Sequence, residues 1–255
     1  MDKLDYFKSN RKGPTHSNGI LFHKMLDQAR RILKYDSYIN EAIHPIFTYM
    51  KQLTDLITCE NGVQSLTIGD VDSSQKIHNV FVAGNHFVQD KINKIVFKKP
   101  LPEELFAYRD LNYYLHESSV KLEISNSPII LNPWNPKRTV AAIEEIETTT
   151  NRFDSQGYSW NLNNFYYYPI GVTLCQSGHH SQYSAKLKGG GSTTINTLFD
   201  IRDIYEEVTF EPKRRMDKHV LYAGILFEIG RILLDYPEVF PEGIRECIEN
   251  NQKIK

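Results

Sequence analysis

The chain has 255 residues, 40% of them apolar and 24% charged, with a formal net charge of −1. That length buries a substantial core and fits one large domain or a compact domain with a helical appendage. The near-neutral balance excludes a long-range electrostatic pull toward nucleic acid or an anionic membrane, so any contact with phosphate has to be local.

Cys59, Cys175 and Cys247 are widely spaced and form no C-x-x-C pair. An odd, scattered set argues against a disulfide framework and a cysteine zinc site. Cys175 stands in an apolar run and reads as a buried, inert thiol. The start Met1-Asp2-Lys3 lacks the charged-then-apolar pattern of a signal peptide. The most apolar stretch, Val220 to Leu234, is interrupted by Glu228 and Arg231 and is shorter than the ~20 residues a spanning helix needs. A cytoplasmic protein with no membrane partner is therefore expected. Richness in Asn, Lys, Ile and Tyr resembles proteins of AT-rich bacterial genomes or their phages.

In chain order, Ser9 to Gly19 is polar and reads as a flexible lead-in. Ile20 to Cys59 has helical spacing, first through Ile20, Met25, Ala29, Ile32 and Leu33, then through Ile39, Ile43, Ile46, Tyr49, Met50 and Leu53. Pro45 marks a helix start or a kink, and Glu60-Asn61-Gly62 is expected to stop the segment. Gly69 to Ser74 is a polar loop. Val80 to Gly84 is either a short strand or a helix start, and Gly84-Asn85-His86 after it is too generic to carry a site. Asp90 to Tyr114 is mixed, with a helix start expected at Pro100-Leu101-Pro102-Glu103-Glu104.

The second half alternates. Val120 to Ile124 reads as a half-buried strand, Pro128 to Leu131 as another extended run, and Thr139 to Ile146 as a short helix. Tyr166 to Cys175 is apolar and β-prone. A turn at Gly178 follows, then a helix from about Gln182, the loop Gly189-Gly190-Gly191, and a helix or strand around Leu198 to Val208. Val220 to Asp235 is expected to close the chain as an amphipathic helix. Strands alternating with helices after residue 120 argue for an α/β or α+β core, with a helical N-terminal half packed against it.

Four segments carry candidate chemistry. Asn132-Pro133-Trp134-Asn135-Pro136-Lys137-Arg138 leads straight into a helix, whose N-terminal N–H groups add to Lys137 and Arg138 as an anion site. The bland alternative is a rigid packed connection. Gln176-Ser177-Gly178-His179-His180-Ser181 offers a glycine turn, two imidazoles suited to acid–base work, and a serine that caps a helix or meets phosphate. Its alternative is a structural cap with one buried and one exposed histidine. Lys188-Gly189-Gly190-Gly191-Ser192-Thr193-Thr194 could wrap a phosphate in backbone N–H groups, or be a hairpin tip; Walker spacing is absent. Lys213-Arg214-Arg215 with Lys218 and His219 is a solvated face or a phosphate contact. Glu206-Glu207 and the near pair Asp200 and Asp203 are too generic to use. No H-E-x-x-H, G-x-S-x-G or G-x-G-x-x-G motif occurs.

The order of these segments resembles the ParB/sulfiredoxin superfamily, over roughly Pro128 to Glu211. The Asn132-to-Arg138 segment, a strand containing Pro169-Ile170-Gly171-Val172, and G-x-H-S-x-x-S-A at a helix start carry the resemblance. The chain is also similar to an uncharacterised bacterial family with N-P-W-N-x-x-R, G-N-H-S and D-I-x-x-[IL]-Y stretches, the last matched by Asp200-Ile201-Arg202-Asp203-Ile204-Tyr205. The fold expected is α+β, with residues 1–115 a helical region, read from its periodicity, packed on a small ParB/sulfiredoxin-like mixed α/β core in residues 116–255 that ends in the amphipathic helix; the resemblance itself does not account for the N-terminal half. It implies a nucleotide- or nucleic-acid-phosphate-binding protein, with ATP or CTP and Mg as the cofactors to test, and a nucleotide or phosphodiester hydrolase if it is an enzyme.

The candidate catalytic residues are His180 and His179; the candidate phosphate-binding residues are Asn132, Lys137, Arg138, Gly178 and Ser181, with Gly190 added from the glycine loop; no metal ligand is implied. His179 stands where sulfiredoxin has its cysteine, so sulfinic-acid repair is not implied. Ser181 stands where the motif has arginine, leaving Lys137, Arg138 or the basic run near Arg214 to supply charge. The alternative is a non-catalytic adaptor or sensor that meets a protein partner through the helical N-terminal half. A role in bacterial antiviral defence, or in a phage counter-system, is implied only by analogy with related histidine-turn domains.

Overall fold

A computed structural model of the chain describes residues 16–34, 43–68, 115–117, 120–154, 157–158, 161–202, 205 and 209–252. The expectations placed on Ile39, on Gly69 to Ser74, on Val80 to His86, on Asp90 to Tyr114, and on Asp203, Glu206 and Glu207 lie outside those residues.

The fold is α+β, with helices in the N-terminal half. Helix α1 (Ser17–Leu33) is capped by His16, whose Nδ1 accepts the Gly19 N–H at 3.0 Å. It buries Gly19, Phe22, Leu26, Ala29 and Leu33. That stripe is rotated from the expected one, and Ile20 stays 43% exposed. The larger Phe22 turns inward instead, against the ring of Phe210 at 5.6 Å.

Helix α2 (Pro45–Ile68) begins at its proline, where the missing N–H removes no intrahelical bond. It does not stop at Glu60-Asn61-Gly62. The phenol of Tyr183 stands where a side chain at Gly62 would be, so this glycine is a packing notch inside the helix.

The main sheet has the order β1-β7-β4-β5-β3, comprising β1 (Leu115–Glu117), β3 (Ile129–Ile130), β4 (Asn163–Tyr168), β5 (Val172–Ser177) and β7 (Thr197–Asp200). Strands β3 and β5 are parallel, as are β4 and β7, while β4–β5 and β1–β7 are antiparallel. The single run expected from Tyr166 to Cys175 is thus a hairpin. It folds back through Pro169, Ile170 and Gly171, where Gly171 has φ +75°. A two-stranded sheet pairs β2 (Lys121–Glu123) with β6 (Ser192–Thr194), and Leu122 and Ile124 face inward as the alternation predicts.

Strand β3 lies at the sheet edge, where unpaired backbone groups need partners. Helix α2 supplies them. Thr58 Oγ1 donates to Ile129 O at 3.3 Å and accepts from Leu131 N at 3.1 Å, and Asn61 Nδ2 donates to Leu131 O at 3.1 Å.

Helices α3 (Pro136–Glu145) and α4 (His179–Leu187) pack over Ile124, Ile129, Leu131 and Cys175 on one face of the sheet, with Ala185 of α4 in the same cluster. The larger core on the other face joins α1, α2 and α5 (Lys218–Leu233) to Tyr166, Leu174 and Leu198. Helix α5 corrects the expectation of a closing amphipathic helix. Every residue from Ala223 to Gly230 is buried, Glu228 included, and Glu228 is satisfied there by Arg231 Nε at 2.7 Å and Phe210 N at 2.7 Å. The chain continues into α6 (Glu242–Gln252), which packs one face through Ile244 and Ile248. No helix among the described residues is long and apolar enough to cross a membrane.

Candidate functional site

Parallel pairing of β3 and β5 sets the location. Both strands end at the same edge of the sheet, and each feeds a helix there: β3 through residues 131–135 into α3, and β5 through Gly178 into α4. The carboxyl ends of parallel strands, with helix N-termini beside them, are where such sheets most often take ligands.

Each helix is started by a different device. Asn135 caps α3, its Oδ1 accepting the Arg138 N–H at 3.0 Å, with Pro136 as the first helical residue. Gly178 caps α4 with φ +83° and no side-chain bond. A side chain there would meet Leu162 Cδ2 at 2.6 Å and Asn161 O at 2.9 Å, so glycine is required both by conformation and by space. Because the strand turns into the helix within this one residue, α4 begins at His179 rather than near Gln182. Ser181 lies inside the first turn and is not the cap.

The two histidines are both engaged by the segment before α3. The Asn132 N–H donates to His179 Nδ1 at 3.1 Å, and the Asn135 N–H donates to His180 Nε2 at 3.2 Å. A nitrogen that accepts is unprotonated, so neutral His180 carries its ring proton on Nδ1 and His179 on Nε2. His179 is buried and His180 half-buried. Burial, reinforced by the Arg138 guanidinium, holds the His180 imidazole below its ordinary value of 6.5.

Trp134 ties the group together. Its ring meets His180 edge-on at 5.6 Å, and Arg138 lies over it with its guanidinium carbon 5.5 Å from the centroid. Lys137 and Arg138 are exposed, and neither α3 nor α4 has an acidic residue in its first turn. Asn132, Lys137, Arg138, Gly178, His179, His180 and Ser181 therefore sit along one edge, on two adjacent helix starts.

Gly190 does not join them, and its backbone N–H is already engaged at the end of α4. Gly189, in the left-handed region at φ +72°, donates to Lys186 O at 3.2 Å, and Gly190 N donates to Ala185 O at 3.0 Å. This pair of bonds is a Schellman end for α4, which uses two of the N–H groups that a phosphate wrap would need. A side chain on Gly190 would also meet Glu147 Oε1 at 2.6 Å. Burial opposes ionisation of Glu147. Hydrogen bonds from Arg152 and the Phe153 N–H, with the charges of Arg152 and Lys188, overcome this and hold its carboxyl below the ordinary value. An ionised carboxylate beside the loop repels anions. Lys188 is engaged too, donating to Ile146 O at 2.6 Å beside the end of α3.

The basic run is exposed at Lys213, Arg214, Arg215 and Lys218, with its backbone tied to α1 by Asn18 Nδ2 at 3.0 Å from Lys213 O. Asp200 and Arg202 form an ion pair at the end of β7.

Two features escape a reading of the sequence. A buried amide network supports α4: Gln182 Nε2 donates to Asn164 Oδ1 at 3.1 Å, and Gln182 Oε1 accepts from Thr193 Oγ1 at 2.7 Å. Asn164 Nδ2 donates to the same Thr193 oxygen at 2.8 Å. The other is Lys186, buried at the α2–α4 seam with its Nζ 2.7 Å from Asp55 Oδ1. Its only signal in the sequence is that Lys186 follows His179 by seven residues and so shares its helix face. Among the described residues, no cluster of three or more His, Cys, Asp or Glu could hold a metal ion.

The profile of a family of unknown function (DUF6710) matches residues 7–239. The chain belongs to that family. No curated protein and no solved structure matches it. The DUF6710 match spans both helix starts as well as α1 and α2, so the edge and the helices behind it belong to one family unit.

Proposed function

We propose that this DUF6710 protein binds a phosphate group of a nucleotide or nucleic acid at the shared N-terminal edge of α3 and α4, as the ParB/sulfiredoxin resemblance implies. One observation carries the reading: two helix starts meet at that edge with Lys137 and Arg138 exposed beside them and no first-turn carboxylate. Cations in a first turn oppose the helix dipole. An anion seated there reverses the balance and draws on both helices at once.

In this arrangement Lys137 and Arg138 supply charge, and the first-turn N–H groups of α4 supply direction. His180 offers Nδ1–H as a donor. Its basic nitrogen already accepts from Asn135, which supports a binding role for this residue over that of a general base. Calorimetry with inorganic phosphate, pyrophosphate, ATP, CTP and a short oligonucleotide, with and without magnesium, tests the reading. Binding that weakens in Arg138→Ala supports it; no heat from any ligand ends it.

A second reading, an adaptor that works through its helical half, is favoured by α2. Leu56, Val63 and Leu66 are 51%, 60% and 51% exposed along one side of that helix. It predicts that His180→Ala leaves biological activity intact while substitutions at those positions abolish it.

A further inference from the structure

The segment between β3 and α3 is fastened to α4 by two bonds of the same unusual kind. Both donors are backbone N–H groups, of Asn132 and Asn135, and both acceptors are ring nitrogens, His179 Nδ1 and His180 Nε2. Backbone donors are normally matched by carbonyl oxygens, whose capacity to accept does not change near neutral pH. An imidazole accepts through a nitrogen only while that nitrogen is unprotonated. Once it is protonated, two N–H groups face each other at about 3 Å, and that bond is lost.

Around His180 the surroundings disfavour an imidazolium. Helix α3 faces His180 with Arg138, the connecting segment presents the edge of Trp134, and the first turn of α4 has no acid. Two turns along α4 from His179, the ammonium of Lys186 engages Asp55, which also holds Lys51 on α2. Asp55 is thus shared between two lysines.

We propose that His179 and His180 form a proton-sensitive latch, which holds Asn132 to Asn135 on α4 while neutral and releases that segment when protonated. Release frees Trp134 and the Asn135 N–H from α4, while the Asn135 side chain keeps its own bond from the Arg138 N–H and still caps α3. Burial and Arg138 hold the His180 imidazole below 6.5, so the latch is closed at neutral pH and opens on acidification. The latch is independent of phosphate binding and is measured with no anion ligand present.

Trp134 is the reporter. Of the two tryptophans in the chain the other is Trp160, and Trp160→Phe isolates the signal. In this otherwise intact chain, titrated from about pH 8 to about pH 5, Trp134 emission is expected to change with a midpoint below 6.5. Exchange of the Asn132 and Asn135 amides should accelerate over the same range, while the far-UV circular dichroism stays constant. The added substitutions His179→Gln and His180→Gln provide side-chain oxygens that accept the same N–H groups without titrating. They should abolish the transition and keep the amides protected. An unchanged Trp134 signal, an identical titration in the glutamine variant, or loss of helical signal in step with the emission would each overturn the latch.

Discussion

His180 Nε2 accepts the backbone N–H of Asn135 at 3.2 Å, so the first turn of α4 holds the residue that caps α3. The bond contributes on the order of 1 kcal/mol. His180→Ala should lower unfolding free energy by roughly that amount plus lost packing against Trp134, whereas His180→Gln should recover most of it. Urea denaturation at neutral pH, followed by circular dichroism, is the measurement.

Acid should weaken the fold through the same residue. His180 binds its proton less readily folded than unfolded, because burial and Arg138 disfavour the charged ring. The unfolded chain therefore holds more protons between its ordinary value of 6.5 and the lower folded value. This contribution is fully present above 6.5 and is lost as pH falls through the folded value. Denaturation midpoints on the two sides of that window should differ in wild type and converge in His180→Gln.

Arg138 and Gly190 separate two possible anion sites. If phosphate is bound between the starts of α3 and α4, Arg138→Ala should weaken it about tenfold, the equivalent of one charge-assisted contact of ~1.4 kcal/mol. Gly190→Ala should leave affinity unchanged while lowering the melting temperature, since the new methyl would press on the Glu147 carboxylate. Calorimetry and a thermal melt on both variants decide this; equal losses of affinity would point back to the glycine loop.

Gly62 should tolerate nothing larger. Alanine there gains helix propensity of about 1 kcal/mol but meets the Tyr183 phenol, and overpacking of this sort costs about 1–3 kcal/mol. Gly62→Leu is expected to be far less stable than Gly62→Ala, and Gly62→Ala combined with Tyr183→Phe should recover part of the loss. Thermal denaturation of the three variants checks it.

Periodicity located most helices because amphipathic spacing is a local property, and it placed β2 by the alternation of Leu122 and Ile124. It failed where the cause is another element. The notch at Gly62 is explained only by Tyr183, 121 positions away in a chain whose local pattern reads as a stop. Helix α5 carries Glu228 and Arg231 and so reads as amphipathic, yet the pair satisfy each other and the helix is enclosed. At the candidate site, the pairing of the Asn132-to-Arg138 segment with the histidine turn was legible from chain order. That the imidazoles serve the backbone as acceptors was not, because two single N–H contacts leave no pattern in the sequence. The glycine run stayed open between two readings for a related reason: a helix end and a phosphate wrap need the same residue, and only the acceptors tell them apart.

Thr58 and Asn61 have a bearing on how the protein can be cut. By hydrogen-bonding Ile129 and Leu131, they act as a sixth strand would, closing off the margin of β3 against pairing with foreign chains. Removing the first helices would leave an open, apolar margin ready to recruit like segments from neighbouring molecules. The residues after 115 should therefore aggregate when expressed alone and stay dispersed when α2 is supplied in the same polypeptide.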